Sequence, residues 1–298
     1  AYAFGVTAYH MAWLKYHYPL EFFVGLINQQ PMGFYNLETI KEDAKCHDLK
    51  VLNPDVNEGT PKRIIKDENL LLGFLNVAGV GETAAESIMD ARNQGGRFRS
   101  LADFMTRTGL QREAVESLVA AGALDALILD RRAALWEVGL RYRSVGAQQT
   151  LELPVDQDMA QLPFQSDWEV MAGEYRTMGL YPDGHLMGKL RPQLGPGIVP
   201  ADEVPHLPDG TEVVVAGLVI RRQRPLAKAV FMTLEDETGH APVVVWPKTY
   251  ERYRLVLREA LLKVRGVVSR REGTLNIVLS HAEPIEVSAS VPPSHSWR

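Results

Sequence analysis

Cysteine is almost missing from this 298-residue chain. Cys46 stands alone, which excludes an internal disulfide and leads us to expect a reducing, cytoplasmic setting. No apolar run reaches the length of a membrane span, so no membrane partner is expected. No signal peptide is visible either, since the sequence opens on Ala1-Tyr2-Ala3-Phe4 without a basic region. The chain opens without methionine, from which a fragment is expected. There is no Gly-Lys-Ser/Thr phosphate loop, no Cys/His zinc spacing and no HExxH. Asp156-Gln157-Asp158 alternates carboxylates, but its surroundings read as linker rather than strand. No catalytic residue, metal ligand or cofactor is therefore assigned to this chain.

A basic excess is also absent, for the net charge is −5. Its distribution is uneven. Residues 211–298 hold 13 Lys and Arg against 9 Asp and Glu, a net of +4. Residues 146–210 hold 3 against 10, a net of −7, and residues 1–145 hold 16 against 18, a net of −2. A local basic face can hold nucleic acid on a chain that is acidic overall.

The most informative stretch runs from Gly73 to Leu127. Val77-Ala78-Gly79-Val80-Gly81-Glu82-Thr83 alternates apolar residues and glycine between two helical segments, which is the helix-hairpin-helix signature. Gly79 and Gly81 admit backbone angles that other residues avoid. The turn stays tight, and its amides point outward at a helix start, where a phosphate oxygen binds. Val77, Gly79, Val80, Gly81 and Thr83 are the candidate residues, and they would read backbone, not bases. The alternative is a pair of ordinary turn glycines. A weaker second unit follows, with helices over Leu101–Thr108 and Arg112–Ala120 and a turn at Ala121-Gly122-Ala123. An ordinary helix C-cap at Gly122 is its competing reading.

Elsewhere the pattern predicts a multidomain α+β protein. Residues 1–70 are mainly helical, with aromatics expected in a helix core, Pro19 between two helices and Asn36 as an N-cap. Residues 71–145 hold the tandem hairpins, and 146–210 read as an acidic linker with a short helix over 168–178. Residues 211–287 show five strands with a helix between the third and fourth, the order of an OB-fold barrel. Residues 288–298 read as a disordered tail. In that barrel the first-second loop carries Arg221, Arg222, Arg224 and Lys228, and the fourth-fifth loop carries Arg270 and Arg271. These supply cations for a single strand, while Phe231 and Trp246 supply stacking rings if they face outward. Strand alternation leaves Phe231 open between core and surface.

Several stretches in one order carry a resemblance. Ala12-Trp13-Leu14-Lys15-Tyr16-His17-Tyr18-Pro19-Leu20-Glu21-Phe22, Asn28 to Tyr35, Leu52 to Asn57, Gly79-Val80-Gly81 and Arg131 to Trp136 resemble the bacterial C-family DNA polymerases, relatives of the polymerase III alpha subunit. Met32-Gly33-Phe34-Tyr35 and Arg132 to Trp136 look more like the error-prone branch. The resemblance covers residues 1 to about 285 and implies the end of a fingers domain followed by DNA-binding domains. It implies a parent enzyme that extends DNA by two-metal phosphoryl transfer in damage tolerance. Its Mg2+-binding palm would lie outside this chain, leaving this part inactive alone. Implied partners are duplex DNA, single-stranded template, a sliding clamp and damage-tolerance accessory proteins. Gln149 to Leu153 and Gln161 to Phe164 loosely resemble clamp-docking peptides. The competing reading is a stand-alone DNA-binding or scaffold module.

Overall fold

The computed structural model describes residues 2–30, 36–142, 162–224, 229–271, 273–286 and 295–297, the last three by backbone alone. It divides into two compact units, Ala1–Asp183 and Gly184–Arg298.

The first unit begins with α1 (Tyr2–His17) and α2 (Pro19–Asn28), where Pro19 occupies a first helical position that has no amide bond to lose. Asn36 caps α3 (Leu37–Lys45), accepting from the Thr39 amide at 2.7 Å. A small sheet follows, ordered β1 (Val51–Leu52), β3 (Asn69–Leu71), β2 (Ile64–Lys66). Asp67 and Glu68 join β2 to β3 with φ of 48° and 59°, the left-handed pair that a two-residue hairpin turn needs. Then come α4 (Glu82–Gly95), α5 (Leu101–Thr108), α6 (Arg112–Ala120), α7 (Arg131–Tyr142) and α8 (Asp167–Met178). Ser166 caps α8 reciprocally with Glu169.

One apolar core serves this whole unit. Phe23 and Ile27 of α2, Leu70 of β3, Leu72 and Phe74 just after it, Ile88 of α4, and Leu118 and Leu124 all belong to it. The division expected near residue 70 is thus absent, because the chain around β3 packs on both sides of it. The aromatics of α1 also depart from expectation. Tyr2 and Phe4 are 88% and 83% exposed, and α1 buries no residue. Its apolar side chains are spread around the helix, so no single stripe forms to bury. Beneath, α3 and α8 share a fully buried polar cluster. Glu38 accepts from Lys41 at 2.8 Å, from the Tyr175 hydroxyl at 2.7 Å and from the Tyr181 amide at 3.1 Å.

The second unit is built on a closed barrel. Its strands are β4 (Glu212–Gln223), β5 (Val230–Asp236), β6 (Gly239–Val245), β7 (Leu261–Arg271) and β8 (Thr274–Pro284), with α10 (Pro247–Tyr253) between the third and fourth. The ring runs β4–β5–β6–β8–β7 and returns to β4, with only β6–β8 parallel within that ring. β4 pairs with β7 over Glu212–Leu218 and with β5 over Leu218–Gln223. At this hand-over Gly217 lies so near that a Cβ would meet the Glu235 carbonyl at 2.8 Å.

The acidic segment 146–210 does not stand apart as a linker. Its described residues 162–183 belong to the first unit and 184–210 to the second. In the latter, α9 (Leu186–Leu190) is clamped to the β5–β6 turn. Arg191 pairs with Asp236 at 2.8 Å and with Glu237, and Asp236 also accepts from the Ala201 amide at 2.9 Å. Within the tail expected to be disordered, His295–Trp297 forms β9 and pairs parallel with Arg221–Gln223 of β4, while 288–294 and 298 lie outside the described residues.

Buried Glu235 takes bonds from His185 at 3.4 Å and His240 at 2.9 Å. Burial alone would raise its carboxyl, but the two histidines overcome it and hold the pKa at about 2. A depressed pKa stabilises the fold above the unfolded carboxylate value near 4.3 and ceases to do so as pH falls toward about 2. Between pH 5 and 2 the second unit should lose more stability in the wild type than in Glu235→Gln. Acid unfolding followed by circular dichroism tests this, and parallel curves for the two proteins would refute it.

Candidate nucleic-acid interface

In the first unit the hairpin is built outward from two buried valines. Val77 and Val80 are 2% and 5% exposed, so they anchor the turn and offer no side chain to a ligand. Between and beyond them, Gly79, Gly81, Glu82 and Thr83 are exposed. The Val77 amide bonds to Phe74 O at 3.0 Å, that of Ala78 to Thr177 O at 2.7 Å, and that of Val80 to Val77 O at 3.0 Å. The amides of Gly79, Gly81, Glu82, Thr83 and Ala84 meet no acceptor among the described residues. They form an outward cluster of donors at the start of a 14-residue helix, a setting that suits a phosphate oxygen. Glu82 places a carboxylate there too, which favours the helix and opposes an anion.

The two glycines differ. Gly79 has φ of +81°, a conformation that other residues adopt at a cost. Gly81 is extended, with φ −85° and ψ −179°, and nothing lies within 4 Å of where its Cβ would stand. The expectation that both need special angles therefore holds for Gly79 alone. Gly81 contributes open access.

The second hairpin spends its amides internally. Gly122 bonds to Val119 O at 3.0 Å and Ala123 to Leu118 O at 2.9 Å, a Schellman closure of α6. Arg131 and Asn53 fill the space beside Gly122, where a Cβ would meet them at 2.3 and 2.5 Å. Arg131 is in turn held by Asp125 and Glu174. The ordinary C-cap is the correct reading here.

In the second unit, strand register assembles an outer face. Gln223 lies opposite Phe231, Phe231 opposite Val244, Val244 opposite Val278, and Val278 opposite Val267. Beyond Gln223 the row is apolar and crosses the barrel; Phe231 is 44% and Val267 39% exposed, Val278 is half-buried and Val244 is covered. Phe231 is thus a surface residue. Trp246 follows at the end of β6, half exposed. Val244, Val267 and Val278 escape sequence reading because their row exists only once four strands are aligned.

The arginines divide. Arg221 shares the outer side of β4 with Gln223, whose amide, turned to suit both groups, accepts from Arg221 Nη2 at 2.8 Å. Arg224 lies over the Tyr250 ring at 4.5 Å. Arg222, opposite buried Met232, turns toward the barrel and donates to Glu259 O at 3.3 Å. Burial pushes its guanidinium pKa down. Arg270 donates to the carbonyls of Pro205 and Leu207, and its amide to Asp209. Arg271 is exposed beside Thr274. The two loops do not meet. Arg221 lies three residues beyond the Leu218–Leu261 pair and Arg270 three beyond Glu212–Val267, at opposite ends of the β4–β7 ladder. They frame the apolar row from its two sides. Lys228 lies outside the described residues, as do Met32 to Tyr35, Gln149 to Leu153 and Gln161; Phe164 is exposed. No helix among the described residues is long and apolar enough to cross a membrane.

Comparison with known proteins fits both surfaces. Residues 48–134 match a model described as a helix-hairpin-helix motif, and 213–285 match an OB-fold nucleic acid binding domain. The error-prone DNA polymerase of Corynebacterium efficiens is 37% identical over 294 residues, covering 96% of this chain. That of Anaeromyxobacter dehalogenans strain 2CP-1 is 38% identical over 305 residues, covering 97%. The chain is similar to these error-prone DNA polymerases over nearly all of its own length. It spans about a quarter of their length, 26% in both cases. The error-prone branch expected from Met32–Tyr35 and Arg132–Trp136 is the one that these relatives represent.

Two expectations follow. Gly81→Val should keep the melting temperature and weaken duplex binding at least severalfold, whereas Gly79→Val should lower both. Thermal unfolding beside fluorescence anisotropy checks this, and wild-type duplex affinity in Gly81→Val would remove the hairpin from the interface. In the barrel, Arg221→Ala with Arg224→Ala should weaken single-strand binding and flatten its salt dependence. Arg222→Ala should act chiefly on stability; the reverse pattern would show that Arg222, not the outer face, meets the strand.

Proposed function

We propose that this chain is the DNA-holding region of an error-prone DNA polymerase. The observation that carries the reading is the open donor cluster at Gly79–Thr83, within a chain that matches such polymerases over 96% of its length. In this reading the hairpin grips the backbone of duplex DNA. The outer face of the barrel holds single-stranded template, its bases on Phe231 and Trp246 and its phosphates near Arg221, Arg224 and Arg271. Synthesis past damaged template is the parent enzyme's role. Sliding clamp and damage-tolerance proteins are its partners, and the cytoplasm its compartment.

Nucleotide addition by the parent would use Mg2+. Among the described residues no three His, Cys, Asp or Glu side chains gather into a cation site. No step of the reaction is assigned to this chain.

A salt titration of binding to single- and double-stranded oligonucleotides tests the reading. Both affinities should fall steeply with salt, since both sites neutralise phosphates. Salt-independent binding, or none at low salt, would overturn it.

A further inference from the structure

We propose that Arg176, on α8, is a phosphate-contacting residue, and that α8 completes the nucleic-acid site of the Gly79–Gly81 hairpin. The inference rests on the reading that this hairpin holds a phosphate. The matched hairpin model ends at residue 134, and α8 lies in the acidic stretch beyond it.

α8 is joined to the hairpin directly. Thr177, next to Arg176, gives its carbonyl to the Ala78 amide at 2.7 Å. α6 approaches from another side, with Ser117 Oγ 3.8 Å from where a Cβ on Gly79 would stand. Between α6 and α8 opens a cavity of about 510 Å3, with Ser117, Arg176 and Thr177 in its lining.

The direction in which Arg176 leaves its helix is fixed by its neighbours. Glu174 is buried and accepts from Arg131 at 2.8 Å and from Asn53 at 2.7 Å. Tyr175 is buried and donates to Glu38 at 2.7 Å. Arg176 itself is exposed and makes no ion pair or hydrogen bond among the described residues.

Charge gives the reason such a cation is needed. Glu113 and Glu116 line the same cavity, and Glu82 sits at the start of α4. Arg112 engages Glu116 at 2.7 Å, which leaves Glu113 and Glu82 to repel an approaching phosphate. Arg176 offsets them, and its guanidinium can fork onto two phosphate oxygens beside the open amides.

The test uses the full chain, with Arg176→Gln, Arg176→Lys and Gly81→Val, and reads duplex anisotropy across salt concentration. Arg176→Gln should lower affinity severalfold and reduce the slope of log affinity against log salt by about one. Arg176→Lys should restore the slope, and neither should move the melting temperature. A wild-type slope in Arg176→Gln, with affinity lost in Gly81→Val, overturns the role of Arg176 and leaves the hairpin reading standing. Loss in Arg176→Gln with none in Gly81→Val overturns the joint site. No change in either variant overturns both.

Discussion

Unspent backbone hydrogen-bonding capacity is the constraint on which the first unit's surface depends. A folded chain pairs nearly all of its buried amides, and those left over at a helix start must face water or a ligand. Here five consecutive or near-consecutive amides find no acceptor among the described residues, because Val77 and Val80 pull the turn inward and Ala78 is tied to Thr177. The same economy closes the neighbouring turn. Gly122 and Ala123 return their amides to α6, so a loop that looks similar in sequence has nothing to offer. The difference between a binding turn and a capping turn is thus which carbonyls lie within reach.

The second unit reaches a comparable end through side chains. Alternation along strands sends Met232 and Val243 inward and Phe231 and Val244 outward, and register then aligns the outward residues into a row. Cations stand at the margins of this row. Arg222 and Arg270 serve the fold instead, satisfying carbonyls at the barrel's ends. An arginine count in a loop therefore overstates the charge available to a ligand, since carbonyls left over at strand ends and short helices also need donors.

Much of this was legible in the primary structure. The five strands and the helix after Pro247 follow from alternation and punctuation, and the Val-Ala-Gly-Val-Gly turn from its glycine spacing. What escaped reading depends on distant partners. The acidic stretch looks like linker because Met171, Tyr175 and Met178 bury against residues far away in sequence. The row containing Val244, Val267 and Val278 needs strand pairings that no local pattern specifies. Gly81 misleads for a subtler reason, since a glycine chosen for open space and one chosen for its backbone angle are written with the same letter.

The pairing of β9 with β4 has a consequence for how this protein behaves in solution. Beyond Leu218, β4 has left β7, and its peptide groups there would face outward without a neighbour on that side. His295–Trp297 occupies that margin. A sheet margin left bare is a template on which another molecule's strand can add. His295–Trp297 thus covers peptide groups of Arg221–Gln223, and loss of this pairing would leave them open to another strand.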